Sequence, residues 1–143
     1  MRVSPFRLED FAELNLQPAQ AEWIDQMTPA AGRALEMNGL TWTARDERGV
    51  VGIGGVQAQA PGRGLAWSLL SRDAGRALVP LTRVVRRYFD TSPFRRIEAV
   101  TACEFEPARR WAIMLGFRSE GVMTAYFPDG ADAERWSRVN VRV

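Results

Sequence analysis

The sequence contains no histidine and no lysine, and it carries one cysteine. Without histidine there is no imidazole base, no Ser-His or Cys-His nucleophile pair and none of the commonest zinc ligand, so most hydrolase and metalloenzyme readings fall. Cys103 cannot close an internal disulfide, which predicts a reducing, cytoplasmic setting. No apolar run is long enough to span a bilayer and no leader pattern opens the chain, so no membrane partner is expected. All nineteen basic residues are arginine, set against seventeen acidic ones for a net charge of +2. That surplus is too small to indicate a nucleic-acid partner, although arginine never gives up its charge.

What is present is a globular composition, 46% hydrophobic and 25% charged over 143 residues. This length buries one core without metal or disulfide support, and a single domain over residues 1–143 is expected, with no linker and no internal repeat.

Hydrophobic spacing sets the order of elements. Residues 2–7 read as a short edge strand and residues 8–14, with Phe11 and Leu14 on one face, as a short helix. From Pro18 to Met37 apolar residues recur at helical spacing, and Pro29 with Gly32 is expected to break the run in two. Asn38-Gly39 stops the second piece. Strands follow at Leu40–Ala44 and Val50–Val56, joined through Asp46-Glu47-Arg48-Gly49, and a third at Leu65–Leu70 after the Pro61-Gly62 turn. Gly75–Asp90 is the strongest helical pattern, with Leu78, Leu81, Val84, Val85, Tyr88 and Phe89 on one face. Ile97–Cys103 reads as a strand, Pro107–Leu115 as a helix closed by Gly116, and Val122–Phe127 and Trp136–Val141 as two final strands around a Pro128-Asp129-Gly130 turn. A strand-helix-strand crossover inside an otherwise antiparallel sheet is a mixed α/β fold with one parallel pair.

Between the third meander strand and the long helix lies Arg72-Asp73-Ala74-Gly75-Arg76-Ala77. Small residues at 75 and 77 let an anion approach the backbone at a helix N-terminus, where unpaired N–H groups and the positive dipole end favour phosphate. About forty residues on comes Ala108-Arg109-Arg110-Trp111-Ala112-Ile113-Met114-Leu115-Gly116-Phe117. The first segment resembles the phosphate-binding signature of the GNAT acetyltransferases, and the second resembles that family's fourth-motif helix, which ends in Leu-Gly-Phe. The likeness covers nearly the whole chain. From Gly64 to Phe117 the sequence is also similar to GNAT-like proteins of tailed phages and prophages, the internal virion protein A type among them.

The resemblance implies a GNAT fold: a mixed, mostly antiparallel central sheet of six to seven strands with flanking helices, splayed between the fourth and fifth strands. It implies an N-acetyltransferase that uses acetyl-coenzyme A as co-substrate and an amine as acceptor. Coenzyme A contacts are then expected from Leu69, Leu70, Arg72, Asp73, Ala74, Gly75, Arg76, Ala77, Thr101, Ala108 and Arg109. The family's acid, a tyrosine in the fourth-motif helix, is replaced here by Ala112, and Phe105 stands near the usual asparagine. Tyr126 and Cys103 remain as proton donors to the leaving thiolate, with Tyr126 preferred, and Glu98 and Glu104 as base candidates. The exposed edges of such a sheet also leave room for a homodimer.

Overall fold

The computed structural model describes residues 1–140. Its elements run β1 (Arg2–Pro5), α1 (Asp10–Glu13), a 3-10 segment (Pro18–Gln26), α2 (Pro29–Asn38), β2 (Thr41–Asp46), β3 (Gly49–Ala60), β4 (Arg63–Leu70), a 3-10 turn (Ala74–Ala77), α3 (Leu78–Thr91), β5 (Arg96–Ala102), α4 (Glu106–Met114), β6 (Arg118–Met123) and β7 (Ala133–Val139). Hydrogen bonding orders the strands β1-β2-β3-β4-β5-β7-β6, with β4 and β5 parallel. The predicted end of the last strand, Val141, lies outside the described residues. The described chain forms two compact units, one made of Met1–Val56 with Trp67–Leu81, the other of Gln57–Ala66 with the described residues from Thr82 on.

In the first unit β1, β2 and β3 pair antiparallel, with Val3 opposite Ala44 and Thr43 opposite Ile53. Its core is Phe6, Leu14, Val50, Ile53 and Leu69, with Phe11, Leu16, Met27, Leu35 and Trp67 packed against it. Gly32 does not break a helix. It sits buried within α2, where an added Cβ would come 3.1 Å from Leu8 Cβ and 3.4 Å from the Phe11 ring. Tight helix packing, not chain reversal, is what this glycine serves. The break falls instead at Met27-Thr28, because Thr28 caps α2 by accepting the Ala31 N–H and Pro29 suits the first turn.

The long helix begins later than its apolar pattern suggests. Residues 74–77 form a 3-10 turn and α3 starts at Leu78. Ala74 and Ala77 are both buried, and a spacing of three aligns such a pair on a 3-10 turn better than on an α-helix.

In the second unit β4 opens parallel to β5, with Arg63 opposite Arg96 and Leu65 opposite Glu98. That is the last paired position, although β4 continues to Leu70 and β5 to Ala102. β7 pairs antiparallel with both β5 and β6. α4 ends as its Leu-Gly-Phe sequence dictates: the Phe117 N–H donates to Ala112 O and the Gly116 N–H to Ile113 O, with Gly116 at φ 89°. This double bond pattern needs a left-handed residue, which glycine supplies without steric cost. Phe117 then turns inward onto Phe89, edge to face at 5.5 Å. The strand expected over residues 122–127 runs instead from Arg118 to Met123. Ala125 adopts φ 53°, a left-handed conformation that ends the extended chain just before Tyr126.

Candidate functional site

The first unit carries the segment expected to hold phosphate. Arg72, Asp73, Gly75 and Arg76 are exposed, while Ala74 and Ala77 are buried. The two alanines anchor the turn and the other four residues face outward. A Cβ on Gly75 would meet no atom within 4 Å, and its φ does not require glycine. No packing or backbone demand inside the protein therefore explains the residue; the space it leaves opens outward. Arg72 and Arg76 make no ion pair among the described residues. Part of the backbone is already used: Ser71 Oγ accepts the Asp73 N–H at 3.2 Å and Ser71 O accepts the Ala74 N–H at 3.0 Å.

Leu69 contributes its side chain to the core, so only its backbone is available to a ligand. Leu70 is partnered by residues 15–20. Its N–H donates to Gln20 Oε1 at 2.9 Å and its carbonyl accepts the Gln17 N–H at 2.9 Å. The Gln20 Nε2 donates to Ser68 O at 2.8 Å, and the Arg72 N–H donates to Asn15 O at 2.9 Å.

The second unit holds the remaining candidates. Glu98 lies 2.9 Å from Arg96 Nε and 3.3 Å from Arg135 Nη1, with its side chain 13% exposed. That carboxylate is committed to two guanidinium groups. Glu104 is exposed in the turn after β5 and makes no ion pair among the described residues. Cys103, half-buried in the same turn, donates its N–H to Asp132 O at 3.1 Å, while Asp132 Oδ1 accepts the Ala125 N–H at 2.8 Å. Asp132 thus ties the turn of Cys103 and Glu104 to the loop of Tyr126. Tyr126 is half exposed and stands edge to face against Phe127 at 5.2 Å. It lies in a loop, not in the strand its sequence suggested.

Thr101 Oγ1 accepts the Trp136 indole N–H at 2.9 Å. Ala108 is half-buried on α4. Arg109 is held by Glu134 at 2.6 Å and Glu106 at 2.8 Å, bonds that push its pKa above the usual arginine value. Glu134 in turn is lowered, by Arg109 first and then by the Ser119 hydroxyl. Sequence reasoning missed both Glu134 and the Asn15–Gln20 contacts. Their partners lie tens of residues away, and no spacing in the chain announces them. No group of three or more metal-ligating side chains occurs among the described residues.

The fold belongs to a known class, as solved structures show. A GNAT-family acetyltransferase from Bacillus anthracis superposes with a TM-score of 0.71 at 17% identity, over 96% of this chain and 93% of that one. This chain has the GNAT fold. Ard1 from Thermoplasma volcanium matches with a TM-score of 0.79 at 14% identity, over 99% and 98% of the two chains. A spermidine N-acetyltransferase SpeG chimera from Vibrio cholerae and hSSAT matches at 0.73 and 16% identity, over 97% and 96%. No protein-family model matches the sequence, and no curated protein does.

Proposed function

We propose that this chain is an acetyl-coenzyme A dependent N-acetyltransferase, one GNAT-like domain that transfers acetyl directly to an amine. The observation that carries the reading is the 72–77 turn: an open glycine face flanked by two arginines that have no acidic partner among the described residues, leading into the fourteen-residue α3. Backbone donors there and the positive end of the helix dipole suit a pyrophosphate, and Arg72 and Arg76 add charge-assisted bonds. Asp73 occupies a position that the motif leaves variable. The β4 edge carrying Ser68 and Leu70 suits an extended amide arm, which pairs with a strand edge as an added strand does.

In the reaction the amine nitrogen attacks the thioester carbonyl, the new C–N bond forms, and the C–S bond breaks. A base takes the amine proton and an acid returns one to the thiolate. Of the two carboxylates, Glu104 suits the base role, because Glu98 is already held by Arg96 and Arg135. Tyr126, half exposed, is the proposed acid, with Cys103 the alternative. Thr101, Ala108 and Arg109 are proposed to line the coenzyme. The guanidinium of Arg109 is neutralised by two carboxylates, so its contribution is packing rather than phosphate charge.

The deciding experiment is calorimetry of acetyl-coenzyme A binding on the wild type and Gly75→Glu. The open space at Gly75 accepts a side chain without disturbing the fold, so the variant should stay folded and lose affinity through bulk and charge repulsion. Retained affinity would sink the reading. A second reading, a structural or assembly protein of the phage type that keeps the fold without turnover, is favoured by Ala112, which is buried in α4 where the family's tyrosine would stand. Absence of binding both by a folded wild type and by variants that free the β4 edge at Ser68 and Leu70 would select it.

A further inference from the structure

At the end of β4 the Ser71 N–H donates to Val51 O on β3 at 2.9 Å. Backbone groups alternate along a strand, so Ser68, Leu70 and Arg72 present theirs at the edge opposite β3. That edge is not bare. The Gln20 carboxamide takes Ser68 O with its Nε2 and the Leu70 N–H with its Oε1, while Gln17 N–H and Asn15 O engage Leu70 O and Arg72 N–H. A side-chain amide presents a donor group and an acceptor group side by side, as a peptide-like amide does to a strand edge. A second bond, from Gln17 Nε2 to Gln20 Oε1 at 2.9 Å, holds the carboxamide in this orientation.

The segment that carries Gln20 is weakly anchored. Pro18–Gln26 is a nine-residue 3-10 helix without one buried residue, well beyond the three or four residues such helices usually sustain. Trp23 and Ile24 are exposed, and the contacts with the core come from its flanks, Leu14, Leu16 and Met27. Release of the middle would leave the core packing in place, which is the character of a low-stability local unit.

Taking acetyl-coenzyme A as the ligand, we propose that Asn15–Gln20 is an internal latch, in which Gln20 stands in for an amide of the pantetheine arm and must release before the arm can bind. The single Leu70 N–H, already donated to Gln20 Oε1, cannot serve both partners. The apparent affinity is therefore reduced by the fraction of molecules with the latch closed.

The test is calorimetry with acetyl-coenzyme A on the wild type, Gln20→Ala and Gln20→Met, the last keeping side-chain length without the amide. Both variants should bind about tenfold tighter, the scale of losing two partly exposed hydrogen bonds from the closed state. Hydrogen exchange of residues 15–26 in the wild type should accelerate when ligand is added. Unchanged or weaker binding by both variants, with binding still lost in Gly75→Glu, would overturn the latch and leave the coenzyme reading standing. Failure of every protein to bind, the Gln20 variants included, would overturn both. Binding by the variants alone would support the latch in its strongest form.

Discussion

Asp10 is 4% exposed, yet it is charged. Its Oδ2 accepts the Arg7 N–H at 2.9 Å and the Thr43 hydroxyl at 2.7 Å, and its Oδ1 lies 2.5 Å from Arg45 Nη2. Replacing it with alanine strands a hydroxyl that is itself fully buried and a guanidinium only 20% exposed. Two hydrogen bonds from neutral donors to the carboxylate and one bond from a guanidinium, lost with their partners left behind, amount to about 3–5 kcal/mol. For a chain of this size that lowers Tm by roughly 10–15 °C. Glu13, which also faces Arg45 but at 3.5 Å and 55% exposed, is the control, and Glu13→Ala should cost under about 0.5 kcal/mol. Burial by itself would raise the Asp10 pKa; the Arg7 N–H, the Thr43 hydroxyl and Arg45 outweigh it and hold the group below the usual carboxylate value. A folded-state pKa below the unfolded one means that the stabilisation is complete above an unfolded value of about 3.9 and is lost as pH falls through the folded pKa. Urea denaturation of the wild type and Asp10→Asn from neutral pH into acid should therefore show a stability gap that is widest at neutral pH and closes below about pH 4. A loss under about 1 kcal/mol in Asp10→Ala, or a gap that widens in acid, would refute the argument.

Other expectations concern the site and its supports. In an acetyl-transfer assay Tyr126→Phe should slow turnover about tenfold or more with little change in coenzyme affinity, and if neither it nor Cys103→Ala does so, both acid assignments are wrong. Gly116→Ala places a Cβ at φ 89° and should cost about 1 kcal/mol or more, read as a fall in Tm of a few degrees, through strain at the end of α4. Glu120 is held down to about 2, first by Arg96 and then by the Ser137 hydroxyl. Its stabilisation is present above the ordinary glutamate pKa and disappears as pH falls toward 2. Because its side chain is 38% exposed, Glu120→Gln should cost under about 1 kcal/mol at neutral pH and less in high salt.

Features governed by neighbours in the chain are legible in the sequence itself. The β2–β3 hairpin closes over Glu47-Arg48, α2 stops at Gly39, and α4 ends through Gly116, because turn and cap chemistry acts within four or five residues. The parallel β4–β5 pair also followed from element order, since two strands flanking one helix in a sheet run the same way. The placement of 72–77 between a strand and a helix belongs to the same class of local information. Tertiary structure decided the rest. Whether Glu98 is a free base or an ion-pair partner depended on Arg135, thirty-seven positions along, brought close by the β5–β7 register. Tyr126 left the strand because the Ala125 N–H bonds to Asp132 across a loop. Gln20 reached Ser68 and Leu70 across about fifty residues of chain. Such partners are chosen when the sheet and core assemble, because a polar group withdrawn from water must be satisfied by whatever donor or acceptor the packing brings within reach.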